Sequence, residues 1–284
     1  MQIQEEEIYR KAMNEIFSFQ INTCEMLIEI QIELENKLPL EVANFFEYSL
    51  KNISKTIKIY FEGILKYSDS FYLISETTSA ARMVFESITI LLYILKSENF
   101  EAYFDYCHKT KELDEQTLEN IKEFLENHQV KQDNDKPRII ISKLDSDISG
   151  ISAYLEHLKE KLNINTNTNT RFPKVSTRCK QLGTFWEFEY LSTYSVISNH
   201  LHGNVKNMHH DIRKSRNLGN SLKEKYNVNQ HWTWISSTLG QFLEEICETF
   251  SLHQQHDRFI ALKQNYTKTI DKLISGSSLN LIRA

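Results

Sequence analysis

The sequence is poor in the residues that build tight turns. It contains seven glycines and three prolines in 284 residues, too few for the many turns of a multi-stranded sheet. No stretch alternates apolar and polar residues for long enough to predict a strand, and no segment repeats at a fixed interval. The sequence therefore predicts an all-α fold, a multi-helix bundle.

An excess of one charge and a pattern of paired cysteines are also missing. Basic residues number 33 against 38 acidic ones, so the chain lacks the overall basic field of nucleic-acid-binding proteins, although a local basic patch is compatible with this balance. The cysteines are far apart in the sequence, which matches neither a zinc site nor a disulfide framework. They are Cys24, Cys107, Cys179 and Cys247, and we expect them to be reduced.

Targeting and cofactor motifs are absent as well. The acidic N-terminus has no basic segment followed by an apolar one, so it does not resemble a signal peptide. The longest apolar run, Met83 to Leu95, is interrupted by Glu86 and falls short of the roughly 20 residues that cross a bilayer. We therefore expect a cytoplasmic protein without a membrane partner. Phosphate-binding loops, dinucleotide fingerprints, nucleophile elbows and His-Glu-x-x-His motifs are lacking, so we expect neither cofactor nor metal.

Apolar residues recur at intervals of three and four, which predicts amphipathic helices along most of the chain. The predicted helices cover residues 4–38, 39–68, 72–96, one or two helices up to 128, and then 139–162, 175–182, 184–201, 232–250 and 260–274. The polar tract at 163–170 predicts a flexible loop, and 275–284 a loose tail. The segments before residues 139 and 232 are predicted to be mainly loop. Because helices occur on both sides of the polar tract, we predict one domain over 1–284 with a long excursion.

The helix at 72–96 carries one charged pair in an otherwise apolar sequence. Arg82 and Glu86 are four residues apart and therefore neighbours on one face. The same face continues through Ser79, Thr89 and Tyr93. Since a helix that is apolar nearly all round is buried, we expect a buried central helix with this polar stripe. The pair is either a structural ion pair or a site where the guanidinium binds phosphate or carboxylate.

A second informative stretch, TFWEFEYLSTYSVISNHL, precedes a glycine. In it Tyr190, Tyr194, Ser198 and His202 follow one another at intervals of four, and Gly203 is placed to end the helix. His202 is either a stabilising group at the negative end of the helix or an accessible imidazole for general acid-base chemistry beside Ser198 and Tyr194.

Two further groups favour less specific interpretations. His209-His210-Asp211 begins a basic patch that includes Arg213 and Arg216. Adjacent histidines diverge and no further ligand lies at helical spacing, so a solvated or phosphate-contacting surface is favoured over a metal site. The tryptophans of the predicted helix at 232–250 are expected to be core or interface anchors.

The order of three motifs resembles a bacterial family of all-helical proteins of unknown function. Its members carry an Arg-x-x-x-Glu helix, a Phe-Pro segment and a late Tyr-x-x-x-Ser-x-x-x-His-Gly motif. The matching residues are Arg82, Glu86, Phe172, Pro173, Tyr194, Ser198, His202 and Gly203. The resemblance covers about the middle half of the chain and implies no established activity.

A more distant resemblance is to the HEPN superfamily (higher eukaryotes and prokaryotes nucleotide-binding), helical bundles that include RNases of toxin and phage-defence systems. Those enzymes carry an Arg followed four to six residues later by a His on one helix. No Arg of this sequence has a His at that spacing. The resemblance therefore implies a ribonuclease only if Arg82 and His202 come together from different helices.

These observations lead to two hypotheses. In the first, a bacterial cytosolic effector of a defence or toxin-like system binds RNA or a nucleotide and cleaves RNA without a metal. Its catalytic residues are Arg82 for the phosphate, Glu86 to orient it, and His202 as acid or base with Ser198; Tyr194, Ser79 and Tyr93 support them. In the second, the stripe is a structural network in an interaction module, and the C-terminal helices bind a partner or a second copy.

Overall fold

The computed structural model describes residues 2–66, 72–127, 135–164, 171–201 and 221–275. Across these ranges the regular structure is helical and contains no strand, which confirms the predicted all-α multi-helix bundle. The α-helices are α1 (Gln2–Leu34), α2 (Leu40–Lys66), α3 (Tyr72–Lys96), α4 (Glu101–Asn127), α5 (Asp135–Leu162), α6 (Val175–Leu182), α7 (Thr184–Glu189), α8 (Ser195–Leu201), α9 (Ser221–Thr249) and α10 (His253–Ser275). In the described part of the chain, no helix is long and apolar enough to cross a membrane.

Three helices begin earlier than the apolar periodicity predicts. Helix α5 begins at Asp135 and helix α9 at Ser221, so the loops predicted before residues 139 and 232 are partly helical. Helix α10 begins at His253 instead of residue 260. Pro137 lies in the first turn of α5, where its missing N–H costs no hydrogen bond. Gly150 does not interrupt α5. The polar tract at 165–170 and the tail from 276 lie outside the described residues.

The chain forms two compact units. The first unit contains Met1–Leu92 and Val175–Ala284, and the second contains Tyr93–Lys174. That the whole chain is a single domain stays a prediction.

The core of the first unit is built around α1. This helix packs against α2, α9 and α10, and its buried side contains Ile16, Leu27 and Ile30. A buried amide crosses from α1 to α9, where Nε2 of Gln20 donates hydrogen bonds to the Trp232 carbonyl at 2.8 Å and to Oγ of Ser236 at 3.0 Å. Directional bonds of this kind fix the register of two helices that apolar packing alone would leave less determined.

Helix α3 is buried on one side and open on the other. Its buried residues in the first unit are Ala80, Ala81, Val84, Phe85, Ile88, Thr89, Leu91 and Leu92. Met83 is exposed, and Arg82, Glu86 and Ile90 are half-buried. The prediction that this helix is buried nearly all round is therefore wrong for one edge, and Arg82 and Glu86 of the polar stripe lie along that edge.

In the second unit, Phe172 anchors the segment that follows the polar tract. Its ring is buried and meets the rings of Tyr93 and Tyr106 edge-on, with centroid distances of 5.8 and 5.2 Å. The Nζ of Lys109 lies 5.6 Å from the centroid of the same ring. Edge-to-face packing of this kind stabilises aromatic clusters, so the Phe172-Pro173 motif has a structural role here.

Candidate functional site

The charged pair of α3 forms as predicted. Nε of Arg82 donates a hydrogen bond to Oε1 of Glu86 over 2.8 Å. The two side chains are 27% and 34% exposed, so the expectation that the pair is buried is wrong. Water therefore reaches the pair and lowers the desolvation cost that a sealed pair would carry. A dissolved anion can reach it as well.

Tyr194 joins the pair from a distant part of the sequence. Its hydroxyl donates a hydrogen bond to Oε1 of Glu86 and accepts one from Nε of Arg82 at 3.1 Å. Cζ of Arg82 also lies 5.4 Å from the centroid of the tyrosine ring, within the range of a cation–π interaction. We call these three residues the Arg82–Glu86–Tyr194 cluster.

An aromatic core supports the cluster from beneath. Phe85, fully buried on α3, lies between rings from two other helical segments. Its centroid is 4.9 Å from Trp234, 5.3 Å from Tyr194 and 6.1 Å from Trp186. Because large buried rings leave little room to move, this packing holds the backbone of α3 and of Tyr194 in fixed relation.

The segment that carries Tyr194 contains a π-helical turn, Tyr190–Tyr194. The N–H of Ser195 donates to the carbonyl of Tyr190, five residues earlier. The sequence predicts one continuous α-helix here, and a π turn inserts an extra residue into that pattern. The four-residue spacing from Tyr190 to Ser198 is therefore not a straight stripe on one helix face. A π turn of this kind often occurs at functional sites.

The pKa of the Tyr194 phenol indicates that this group acts as a hydrogen-bond donor. Burial, together with the hydrogen bond to the Glu86 carboxylate, raises the pKa of the Tyr194 phenol well above its ordinary value. The phenol thus keeps its proton at neutral pH and cannot serve as a base there. Burial lowers the pKa of Arg82, but the contacts with Glu86 and Tyr194 outweigh it and raise that pKa. The cluster therefore presents a permanent cation held by an oriented carboxylate.

The other predicted site residues have different surroundings. Ser79 is half-buried on α3, and Ser198 is half-buried on α8. Thr89 is fully buried and its hydroxyl donates to the backbone carbonyl of Glu86 at 3.0 Å, so it does not extend the open stripe. Tyr93 belongs to the second unit, where it packs against Phe172.

Several predicted residues cannot be placed. His202 and Gly203 lie outside the described residues, as does the basic patch with His209 and His210. The proposed meeting of Arg82 with His202 therefore stays a prediction. Within the described ranges, no group of three or more His, Cys, Asp or Glu residues is arranged to hold a metal ion.

Two buried charged residues were not predicted from the sequence. Among the described residues, the buried charged side chains are Arg178 and Glu245. Oε1 of Glu245 accepts hydrogen bonds from Nε1 of Trp186 at 2.6 Å and from Nε2 of Gln241 at 3.0 Å. The burial of Arg178 could have been predicted from its spacing, because this residue shares a helix face with the apolar Val175. Trp232 and Trp234 are buried, as core anchors should be.

Comparison with known proteins adds a family but no activity. The model of a family of unknown function, DUF5677, matches residues 55–220, which include α3, the Phe-Pro segment and the whole α6–α8 segment. No curated protein and no solved structure matches the chain. The match covers more than half of the 284 residues and contains all three residues of the Arg82–Glu86–Tyr194 cluster. The chain belongs to the DUF5677 family.

Proposed function

We propose that this protein binds a phosphate group of RNA or a nucleotide at the Arg82–Glu86–Tyr194 cluster. The observation that carries the proposal is a guanidinium that Glu86 and Tyr194 help to orient and that is still 27% exposed. Arginine matches the geometry of phosphate oxygens, and an oriented guanidinium loses little freedom on binding. The chain then acts as a cytoplasmic effector of a bacterial defence or toxin-like system, distantly related to HEPN proteins.

The catalytic form of this proposal assigns a role to each predicted residue. Arg82 binds the phosphate and stabilises the negative charge that grows on it during RNA cleavage. Glu86 and Tyr194 hold the guanidinium. His202 takes the proton of the attacking ribose hydroxyl, or gives one to the leaving oxygen, with Ser198 beside it. The high pKa of Tyr194 supports this division of roles, because the phenol is a donor and not a base.

One observation favours a non-catalytic alternative. The cluster joins α3 to a residue 108 positions later, and the aromatic packing around Phe85 joins the same two segments. A polar network at such a junction can serve to fix the arrangement of helices in an interaction module. In that case the cluster contributes to stability and has no ligand of its own.

Binding and activity measurements distinguish the two functions. We would compare wild type with Arg82→Ala, Glu86→Gln and His202→Ala, checking helix content by circular dichroism. The matched control is Arg258→Ala, which removes an exposed ion pair between α1 and α10, Nη1 of Arg258 to Oε2 of Glu29 at 2.9 Å. Fluorescence polarisation measures binding of a labelled single-stranded RNA, and gel analysis measures RNA degradation after induction in cells.

For a phosphate site, Arg82→Ala should weaken RNA binding about tenfold or more, the loss typical of one charged hydrogen-bond partner. Arg258→Ala should bind RNA like wild type. If folded His202→Ala binds RNA but no longer degrades it, the catalytic form gains support. If all folded variants bind and degrade RNA like wild type, or wild type does neither, the proposal is wrong and the interaction module remains.

A further inference from the structure

The two segments that form the Arg82–Glu86–Tyr194 cluster carry little positive charge. Across residues 79–92 and 184–198, Arg82 is the single basic residue, whereas Glu86, Glu187 and Glu189 are acidic. Glu187 and Glu189 are half-buried. An anion that reaches Arg82 therefore meets one cation of these segments and, beside that cation, the carboxylate of Glu86.

The positive charge of Arg82 is already balanced by Glu86. Nε of Arg82 lies 2.8 Å from Oε1 of Glu86, and the glutamate side chain is 34% exposed, so the carboxylate also faces solvent. Tyr194 adds no charge, because burial and its hydrogen bond to Glu86 raise the pKa of its phenol. The three side chains together are therefore neutral, and they have no excess positive charge to offset a second negative charge on a ligand.

The exposed side chains next to the cluster in the sequence are apolar. Met83 follows Arg82 on α3 and is 59% exposed, and Leu191 in the π turn is 61% exposed. Tyr190 stacks on Tyr194, with ring centroids 5.3 Å apart. Apolar and aromatic surface suits the ribose and base on either side of a phosphate. The same surface displaces water, and the cost of removing water from an ion rises steeply with its charge.

We propose that Glu86 restricts this site to phosphodiesters, so that the ligand is an internal linkage of an RNA chain and not a mononucleotide or a terminal phosphate. The inference rests on the phosphate site proposed above. A phosphodiester carries one negative charge at neutral pH, whereas a phosphomonoester carries about 1.5 to 2. The first charge pairs with Arg82. The second charge lies near the Glu86 carboxylate and meets no second cation on the two segments that form the cluster.

The discrimination between the two kinds of phosphate should be about tenfold. Two like charges roughly 6 Å apart, at a dielectric constant between the values for a protein surface and for water, repel enough to weaken binding by about that factor. The added attraction of a dianion to Arg82 is offset by the larger hydration that the dianion loses. Glu86 is therefore a residue that determines specificity, in addition to orienting Arg82.

Two probes that differ in phosphate charge test the proposal. Adenosine 5′-monophosphate and its monomethyl ester share base, ribose and phosphate, but the ester carries a single negative charge. Competition with labelled single-stranded RNA at pH 8, followed by fluorescence polarisation, measures the affinity of the full chain for both. For wild type, the ester should bind about tenfold more tightly than the monophosphate. An oligoribonucleotide without terminal phosphates should compete better than a cyclic dinucleotide, and the reverse order would overturn the assignment to an RNA chain.

Glu86→Gln removes the charge and keeps an oxygen that accepts hydrogen bonds from Arg82 and Tyr194. In this variant the monophosphate should bind about as tightly as its methyl ester. Glu47→Gln is the matched control, because Glu47 pairs with Lys51 four residues later on α2 and its side chain is 39% exposed. The control should keep the wild-type preference. A purely structural role of Glu86 would change the affinity for both probes and leave their ratio unaltered.

The outcomes separate this inference from the phosphate site on which it rests. If folded Arg82→Ala binds RNA and both probes like wild type, the phosphate site is wrong, and selection by Glu86 is wrong with it. A different result overturns the selection alone: Arg82→Ala weakens both probes, but wild type binds the monophosphate as tightly as the ester. The same conclusion follows if Glu86→Gln retains the wild-type preference.

Discussion

The hydroxyl of Tyr194 donates a hydrogen bond to Oε1 of Glu86, 108 residues earlier in the chain. The hydroxyl oxygen of Tyr194 in turn accepts a hydrogen bond from Nε of Arg82 at 3.1 Å. The phenol thus lies between a cation and an anion that are already paired on one helix. Its contribution is to hold that pair in one orientation at a place that solvent reaches.

Replacing Tyr194 by Phe tests this relationship directly. The change keeps the ring that packs against Phe85 and removes the hydroxyl alone, so the free energy of unfolding should fall by about 1.5–3 kcal/mol, the usual contribution of hydrogen bonds to charged groups. Urea denaturation followed by circular dichroism measures it. Tyr190→Phe removes a hydroxyl one turn away and should change stability by less than about 0.5 kcal/mol. Equal losses in the two variants would contradict the role assigned to the Tyr194 hydroxyl.

Local spacing was sufficient to predict part of the fold and of the site. Intervals of three and four predicted α3 and α6 with the boundaries that the structure has. The four-residue separation of Arg82 and Glu86 predicted their ion pair, because neighbours on one helix turn need no tertiary information. Tyr194 was identified as a supporting residue by its spacing and by the family motif.

Features that depend on tertiary packing were not predictable. An exposed Met83 and a buried Glu245 reverse the usual preference of their residue types, and only the position of neighbouring helices decides such cases. The π turn before Ser195 adds one residue to a helix whose composition looks regular. Each of these features depends on contacts between residues that are far apart in the sequence, and periodicity carries no information on such contacts.

Glu245 is expected to contribute more to the stability of the fold than the adjacent Glu244. Glu245→Leu leaves the buried indole N–H of Trp186 without its acceptor, and the free energy of unfolding should fall by about 3 kcal/mol. Glu245→Gln keeps an acceptor oxygen and should lose less than half of that.

The control for this comparison is Glu244→Leu. Glu244 pairs with Lys263 at 2.7 Å near the surface, and exposed pairs contribute about 1 kcal/mol or less. Denaturant unfolding of the three variants beside wild type ranks the losses. A loss for Glu244→Leu as large as for Glu245→Leu would show that the buried acceptor has no special role.

The protein should lose stability in alkaline solution through its cysteines. Burial raises the pKa of the Cys24 thiol to about 12, from an ordinary value of 9.0. Below pH 9 the thiol is protonated in the folded and in the unfolded chain, so its ionisation does not lower the free energy of unfolding there. Between pH 9 and 12 the unfolded chain loses the proton while the folded chain keeps it. This difference lowers stability by up to about 1.4 kcal/mol per pH unit for one thiol.

Urea denaturation at pH 8, 9, 10 and 11 measures that slope, and Cys24→Ala should reduce it. Ser54→Ala is the control, because it also removes a polar atom from a buried residue but does not titrate. Both variants start from a lower stability, so the comparison is of slopes and not of absolute values. A Cys24→Ala slope equal to that of wild type would exclude this thiol as a source of the alkaline effect.

The same substitution should have opposite effects at two glycines. Gly183 has a φ of 118° between α6 and α7, where its N–H donates to the Cys179 carbonyl and its carbonyl accepts from Glu187. Other residues are strained at that φ, so Gly183→Ala should lower the free energy of unfolding by about 1–3 kcal/mol. Gly150 lies inside α5 with open space around it, so Gly150→Ala should raise it by about 0.5–1 kcal/mol. Both are measured by urea denaturation. If both variants are destabilised to the same extent, the open space around Gly150 does not decide the effect of the substitution.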